Sequence, residues 1–570
     1  MKQTLLNKQY LSLLLILIVG FFLRFYLLGS VPPGPEWDEA SAGYNAFSIL
    51  QTGKDEWGNF LPTSITAFGD HKNPLGIYLS IPLIKILGLN ITSIRIVNAF
   101  SSWLMILVIY LIAKKIFGEK TALISSILVS LSPSGIFFAR LADEGIMLSI
   151  LLIYLGLLLF FSYLNKQKLI FIISSILCLV LSIFSYSLAR IVAPPLILIM
   201  IIYYFLRAKK KSIFTTLMLL IFITVTSILL FRQLGYNLQR VSTVGILGST
   251  KGIGLEIGEY REHDKNNFRS KLLHNKLTFT GITLLGNYLS HFSTDFLLNY
   301  KDHGNVSESH TPLLFMILLP FYYTGILFGF KELFKKSPKE KRSQIFILLF
   351  VLLIAPLPST ITEGAPSSKR SLAMHGFIEL FTAFGLVTTF SLLKHKLKSN
   401  KLIVFIIGVL FAINVGTFLY FFYWIYPKQY GYMYAVRENK ICEVIKAKYQ
   451  QYDQFIFSRR IDGVPYIFPL FCLQFPPEKY WQTRQSRFVD GWHYIDAFDK
   501  FQFVDVVDEK IFDKLAPNNK IALFTNEEEK KTILPLLIEK KLISPDQQLI
   551  MTKSLINNPK LPLYLFTFRL

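Results

Sequence analysis

The sequence predicts an α-helical polytopic membrane protein with a small α/β domain at its C-terminal end. Three observations predict it. Apolar runs long enough to cross a bilayer recur through most of the chain, and clusters of lysine and arginine stand in alternate connections between them. Past residue 425 the composition shifts, and acidic residues return.

The runs come first. Of the 570 residues, 52% are hydrophobic, and mean hydropathy is +0.44, whereas a soluble domain is usually about 45–50% apolar with glycine included. Leu11–Leu28 contains one charge, Arg24, and Leu123–Ala139 contains none. A hydrocarbon core of about 30 Å takes roughly 20 residues of helix, which satisfies its backbone polar groups internally. No small-residue cleavage site follows the N-terminal run, so it reads as a retained first helix rather than a signal peptide.

Basic flanks then set the orientation. With Lys2 and Lys8 inside, a helix over 11–29 leads out to a long loop and the semi-apolar stretch Pro74–Leu89. Helix 92–113 returns to Lys114, Lys115 and Lys120. Helices 121–139 and 145–164 meet outside at Arg140–Glu144 and end at Lys166 and Lys168. The next two meet outside near Arg190 and end at Arg207 and Lys209–Lys211. Helix 213–231 leads to a polar segment, 232–311, and helix 312–330 descends to the basic stretch Lys331–Arg342. Two more helices enclose an outer loop, 359–370, and end at Lys394–Lys401; helix 402–424 leaves the remainder outside. Pro74–Leu89 can add a re-entrant or transmembrane segment, so about 11–13 spans are expected. No internal repeat is evident, nor the paired broken helices that mark secondary transporters. The expected division is a membrane domain, 1–424, with its first outer loop at 30–91, and an extracytoplasmic α/β domain, 425–570. In the latter, Lys520–Thr525 reads as a buried strand, Asn526 with three glutamates as a helix N-terminus, and Gln548–Thr552 and Leu563–Phe568 as further strands. The chain is thus placed in the cytoplasmic membrane, N-terminus inside and C-terminal domain outside.

A formal charge of +23 would suggest nucleic acid in a soluble protein. Here the lysines fall in the short inner loops, so no nucleic-acid partner is expected. Cys178, Cys442 and Cys472 show no metal spacing; Cys178 sits in an apolar run, and a bridge between the other two is left open.

Function is carried by charges beside the membrane on the outer side. The first loop supplies Asp38, Glu39, Asp55, Glu56, Asp70, His71 and Lys72. Later outer turns supply Arg140, Asp143 and Glu144, then Arg190, then Glu363, Lys369 and Arg370. Charges at this depth are costly unless they pair or line an aqueous cavity. Asp38 and Glu39 point in different directions on a helix, which suits one carboxylate turned to the cavity and its neighbour to the scaffold. Several cations around an acid suit a phosphate-bearing substrate, and the acid could accept a proton from an attacking hydroxyl. Together they describe displacement at a carbon that carries a phosphate leaving group.

Blander readings stand beside these. Arg24, Arg95 and Arg140 could be snorkelling anchors, Asp55–Glu56 ordinary loop residues, and Asp143 and Glu144 caps for the following helix. Trp37, Tyr44, Trp57 and Tyr78 could stack on a sugar or belong to an aromatic belt. His263, His303 and His310 have no ligand spacing. Asp38 follows Pro-Pro-Gly-Pro, which fixes a turn at the membrane surface.

Trp37-Asp38-Glu39-Ala40, His71-Lys72-Asn73-Pro74-Leu75 with Tyr78, Arg95 with an apolar run ending in KKIFG, and FFARLADEG after the third helix together carry a family likeness. The chain resembles the GT-C superfamily of integral-membrane glycosyltransferases, family 39 type, the bacterial relatives of protein O-mannosyltransferases and of the lipid A aminoarabinose transferase. The likeness is densest over the first 150 residues. It implies inverting transfer of a sugar from a polyprenyl-phosphate donor to a hydroxyl of a protein, glycan or lipid acceptor. It further implies Asp38 as general base and Lys72 as a contact to the lipid phosphate. Lys-Asn-Pro stands here where relatives often have Lys-Pro-Pro. Glu144, with Asp143 beside it, matches a second acidic position, and Glu39 is a supporting residue. Arg190 and Arg370, chosen by their side of the membrane, join His71 and Arg140 as candidates to hold phosphate. No nucleotide is implied at the site, in keeping with the lack of a Gly-rich phosphate loop, and a divalent cation is left open. Membrane lipids are the remaining partners expected. The alternatives are a transporter or flippase of an anionic lipid-linked substrate, which would place ionisable groups mid-helix, and a scaffold displaying its outer domain.

Overall fold

The computed structural model describes residues 2–207, 224, 245–246, 250–299, 311–393, 400–431, 436–461, 463–489, 491–514, 517–542 and 563–569. The expected helix 213–231, apart from residue 224, and the expected strand Gln548–Thr552 lie outside the described residues. The chain runs α1 (Lys2–Phe25), α2 (Trp37–Thr52), β1 (Ile65–Ala67), β2 (Asp70–Lys72), α3 (Pro74–Leu87), α4 (Ile91–Phe117), α5 (Glu119–Leu131), α6 (Pro133–Phe138), α7 (Ile146–Lys166), α8 (Leu169–Ile183) and α9 (Ala189–Arg207). Then follow α10 (Thr250–His263), α11 (Phe268–Leu273), α12 (Lys276–Ser290), α13 (Leu319–Phe334), α14 (Lys339–Ile354), α15 (Phe377–Leu393) and α16 (Asn400–Tyr420). The C-terminal part holds α17 (Val436–Lys448), β3 (Gln454–Ser458), α18 (Ile467–Leu473), α19 (Pro477–Thr483), β4 (Gln485–Val489), β5 (Trp492–Phe498), β6 (Phe501–Val504), β7 (Lys520–Thr525), α20 (Glu527–Glu539) and β8 (Tyr564–Arg569).

Among the described residues eight helices are long and apolar enough to span a membrane, and α3 and α8 are shorter apolar helices. The chain is a multi-pass membrane protein. One expected helix, 121–139, is broken: α5 ends at Leu131, Ser132 is extended (φ −64°, ψ 126°), and α6 starts at Pro133. Proline has no N–H to give the preceding turn and drives the residue before it out of the helical region.

The described chain forms two compact units. The first comprises 1–26, 98–140 and 145–418; the second comprises 27–97, 141–144 and 419–570. The helices of the first unit are fastened by buried polar groups and by glycines. A Cβ on Gly325 of α13 would lie 1.8 Å from the Phe381 carbonyl oxygen, and one on Gly385 of α15 would lie 2.0 Å from that of Phe321. Only glycine permits such backbone approach, the usual means of packing helices in lipid. Arg24 is fully buried and donates to Ser102 Oγ (2.7 Å) and to the carbonyls of Gly20, Val129 and Ser130. It ties α1 to α4 and α5 and does not snorkel.

In the second unit a six-stranded sheet runs β4-β5-β6-β3-β7-β8, with β6, β3 and β7 parallel and the other pairings antiparallel. Strand β3, Gln-Phe-Ile-Phe-Ser, is buried on both faces, as a parallel strand inside an α/β layer must be. Its period-two alternation sends Phe455 and Phe457 into one apolar core and Ile456 into another. The first core stacks Phe457 on Phe524 (ring centroids 4.5 Å apart) and includes α18 and helix α2. By packing, therefore, the long loop after α1 shares a core with the residues after 418. Ala40, Ala42 and Gly43 make this possible, since a Cβ on Gly43 would meet the Phe471 ring at 2.7 Å. Cys442 of α17 and Cys472 of α18 form a disulfide, closing the question the sequence left open.

Candidate active site

Two short elements of the second unit bring the first-loop charges together. Asp38 and Glu39 stand in the first turn of α2, where the amide ends of a helix favour negative charge. Asp70, His71 and Lys72 form β2, paired in a two-stranded ribbon with Ile65 opposite Lys72. The ribbon turns at Phe68 (φ 59°) and Gly69, and the β4–β5 hairpin docks on that turn: the His493 N–H donates to the Phe68 carbonyl at 3.0 Å. A Cβ on Gly69 would fall 2.9 Å from the Gly491 carbonyl oxygen, so glycine is needed for the close approach.

Lys72 Nζ lies 2.7 Å from Asp38 Oδ1 and 3.9 Å from Asp70 Oδ2. The Lys72 side chain is 8% exposed and that of Asp38 21%, so the carboxylate is the more accessible member of the pair. Burial by itself would lower the pKa of Lys72. The charges of Asp38, Asp70, Glu144 and Asp143 outweigh it and hold the ammonium above the ordinary lysine range. Lys72 is therefore a fixed positive charge ringed by four carboxylates.

The other acids near the site are engaged differently. Glu39 is 2% exposed and clamps Arg95 in a two-pronged pair, Nε to Oε1 at 2.7 Å and Nη2 to Oε2 at 2.6 Å. It also accepts the N–H of Ala142 at 2.7 Å. Arg95 spends another nitrogen on the carbonyls of Leu28 and Pro32, so it too is a buried tie rather than a snorkelling anchor. Glu144, with φ at 49°, accepts both the N–H (2.9 Å) and the side-chain amide (2.6 Å) of Asn73 through Oε2. Helix α7 has Gly145 at its N-cap and no side-chain cap, so capping does not account for Asp143 and Glu144. Asn73, beside Lys72, had no role in the sequence reading; its contact with Glu144 joins two loops far apart in sequence.

The geometry thus offers a partly exposed carboxylate with a captive ammonium on it, walled by acids bound to the scaffold. Such a site can accept a proton at Asp38 and present positive charge from Lys72, whose ammonium has three donors. Among the described residues no three or more of His, Cys, Asp and Glu are grouped to hold a metal ion.

Comparison with known families places part of this constellation in a matched segment. The family described as dolichyl-phosphate-mannose-protein mannosyltransferase matches residues 71–231. The GT-C resemblance holds. The matched segment opens at His71, so it contains Lys72, Asn73, Arg95 and Glu144, and Asp38 and Glu39 precede it. Among solved structures, the oligosaccharyltransferase of Archaeoglobus fulgidus in its apo form is similar at 13% identity and a TM-score of 0.46, over 81% of this chain and 63% of that one. ArnT from Cupriavidus metallidurans bound to undecaprenyl phosphate is similar at 12% identity and a TM-score of 0.48, over 99% of this chain and 98% of that one. The chain therefore spans just under two thirds of the oligosaccharyltransferase. No curated protein matches.

The remaining GT-C candidates fall in the first unit, apart from His71, which is half-buried in β2. Arg140 is fully buried and donates to the carbonyls of Leu23 (2.8 Å) and Tyr26 (2.6 Å), so it does not snorkel either. Arg370 donates to Thr362 Oγ1 and the Glu363 carbonyl. Arg190 is half-buried in the first turn of α9. The outer aromatics of the second unit are used in packing: Tyr44 is buried and donates to the Phe475 carbonyl, Tyr78 donates to that of Pro62, and Trp57 lies between His493 and Arg484. Asp55 and Glu56 are both fully buried. Sequence reading passed over His375 and Glu379, which face each other at 2.8 Å in the first unit with Ser132 and Ser134 beside the imidazole. Their signal was present: two ionisable groups four apart in an apolar run.

Proposed function

We propose that this protein is an inverting glycosyltransferase. It moves a sugar from a polyprenyl-phosphate carrier to a hydroxyl acceptor at the outer face of the cytoplasmic membrane. The observation that carries the reading is the accessible Asp38 carboxylate held 2.7 Å from a buried, permanently charged Lys72. It stands in a chain whose residues 71–231 match the dolichyl-phosphate-mannose-protein mannosyltransferase family. Asp38 takes the proton of the acceptor hydroxyl as its oxygen attacks the anomeric carbon, and the carbon–phosphate-oxygen bond breaks on the opposite face, which inverts the centre. Bonding of the hydroxyl oxygen to the sugar makes its proton acidic, and Asp38 accepts it. The two remaining N–H groups of Lys72 serve the departing phosphate, with His71 beside it in β2 as a further candidate to hold it. Glu39 and Glu144 act through the scaffold.

The outer-face location is supported by the basic flanks and by the Cys442–Cys472 disulfide, since such bonds persist in oxidising compartments. The test supplies purified protein with polyprenyl-phosphate sugars from its native membrane and an extract of native acceptors, and follows labelled sugar. Transfer that falls to background in Asp38→Asn is expected. Full activity in that variant removes Asp38 as base; movement of intact donor across vesicles without transfer favours a flippase.

A further inference from the structure

The α/β part of the second unit holds a crevice that the transfer reaction leaves unused. Its parallel strands end side by side, β3 at Ser458, β6 at Val504 and β7 at Thr525. Of the strands parallel to β3, the chain forms β6 on one flank, after the β4–β5 hairpin, and then β7 on the other. In open sheets of this kind ligands settle outside the carboxyl ends of the strands, where the winding direction reverses. A crevice of about 420 Å³ opens there, within the usual range for small-molecule sites.

Its charge is one-sided. Asp508 and Glu509, after β6, and Glu528 and Glu529, in α20, share it with one cation, Arg460, after β3. Arg460 comes no nearer than 3.8 Å to Glu528, and Glu509 is 3.7 Å from Lys540. The first turn of α20 accounts for some of this negative charge, because glutamates favour a helix N-terminus; it does not account for Asp508, Glu509 or the way Glu529 is held. Glu529 is 2% exposed, and its Oε1 accepts from Ser458 Oγ (2.8 Å) and the Val507 N–H (3.0 Å), fixing the carboxylate between the ends of β3 and β6. Its Oε2 has no hydrogen-bond partner among the described residues. A buried carboxylate oxygen without a donor is costly, and a ligand that brings a charged donor relieves that cost.

We propose that this crevice binds the ammonium group of a ligand, such as a lysine side chain or an amino sugar. Glu529 receives the N–H, Asp508 and Glu528 supply charge at the mouth, and Ile533 and Leu536 receive the carbon skeleton. The site is independent of the transferase reading. The test titrates purified full-length protein with Nα-acetyl-lysine amide and with glucosamine, beside the uncharged Nα-acetyl-norleucine amide and glucose. At least one amine is expected to bind about tenfold or more tightly than its uncharged counterpart, and the arm that binds identifies the source. Asp508→Asn with Glu528→Gln, both exposed and remote from the core, is expected to weaken that binding by about tenfold at an unchanged melting temperature; Glu529→Gln should weaken it further. Binding of neither amine, equal binding of the uncharged analogues, undiminished binding by the double variant, or competition by inorganic phosphate overturns the proposal.

Discussion

Glu56 couples the stability of the second unit to pH, and the sign follows from its surroundings. Its carboxyl is fully buried, and burial pushes the pKa from 4.5 up to about 8 against the hydrogen bonds of Tyr466 and Asn45, the Asp55 charge adding to the rise and Arg484 opposing it. The unfolded chain releases this proton near 4.5 while the folded chain keeps it to about 8. Between those values the folded state binds more protons, so stability falls as pH rises, by up to about 1.4 kcal/mol per pH unit. The contribution of the neutral acid is complete below 4.5 and gone above about 8. Glu56→Gln keeps a carbonyl for the Asn45 amide and an N–H for the Tyr466 oxygen, and cannot ionise. Melting temperatures of the purified protein between pH 5 and pH 9 should therefore decline more steeply in the wild type than in Glu56→Gln. The variant should lie close to the wild type at pH 5 and above it at pH 9. Parallel curves refute the assignment.

Other outcomes follow from the same contacts. Asp38→Asn should lower the transfer rate by roughly 10²–10⁴-fold while the protein stays folded, with a modest fall in melting temperature from the loss of the Lys72 pair, read by labelled-sugar transfer and thermal unfolding. Arg95→Met strands Glu39 as a buried unpaired charge and should destabilise the second unit by about 3–5 kcal/mol, with part of that recovered when Glu39→Gln is added. Reducing Cys442–Cys472, or Cys472→Ser, should cost about 2–4 kcal/mol in reversible unfolding, since a 30-residue separation is closed. Lys72 stays charged beyond the ordinary lysine range, so Lys72→Arg and wild type should share the same alkaline limb in a pH–rate profile, and Lys72→Gln should lose rate at every pH.

Elements that declare themselves locally were legible in the sequence. Lys520–Thr525 is an apolar run bounded by polar residues and forms β7 with those limits, and Asn526 caps α20 by accepting the Glu529 N–H. The break at Ser132–Pro133 was equally local and was overlooked because no charge interrupts the run on either side of it. Contacts between distant segments were not legible. Nothing near Asn73 announces Glu144, nor does anything near Glu39 announce Ala142, since each pairing depends on how separate loops close. The buried arginines were left between two readings for a related reason. A snorkelling arginine and one taken up by a neighbouring helix look alike in sequence, and the difference lies in small partners such as Gly20, Ser102 and Ser130 that leave room for a guanidinium.

Asp38 and Glu39, adjacent in the first turn of α2, are turned to different partners by the helix. Successive side chains leave a helix about 100° apart, so Asp38 and Glu39 cannot face the same space. Glu39 points to Arg95 and the Ala142 amide and has both oxygens committed; a proton placed on it would break a buried two-pronged pair. Asp38 points to Lys72 and keeps a fifth of its side chain exposed. A carboxylate that is to take a proton and give it back must be reachable, and must stand where the charge of the new acid and the leaving phosphate can both be met. Of the two, only Asp38 is partly exposed, which supports the base role proposed for it. The Glu39–Arg95 pair holds the start of α2 against the start of α4, and so fixes where the Asp38 carboxylate meets Lys72.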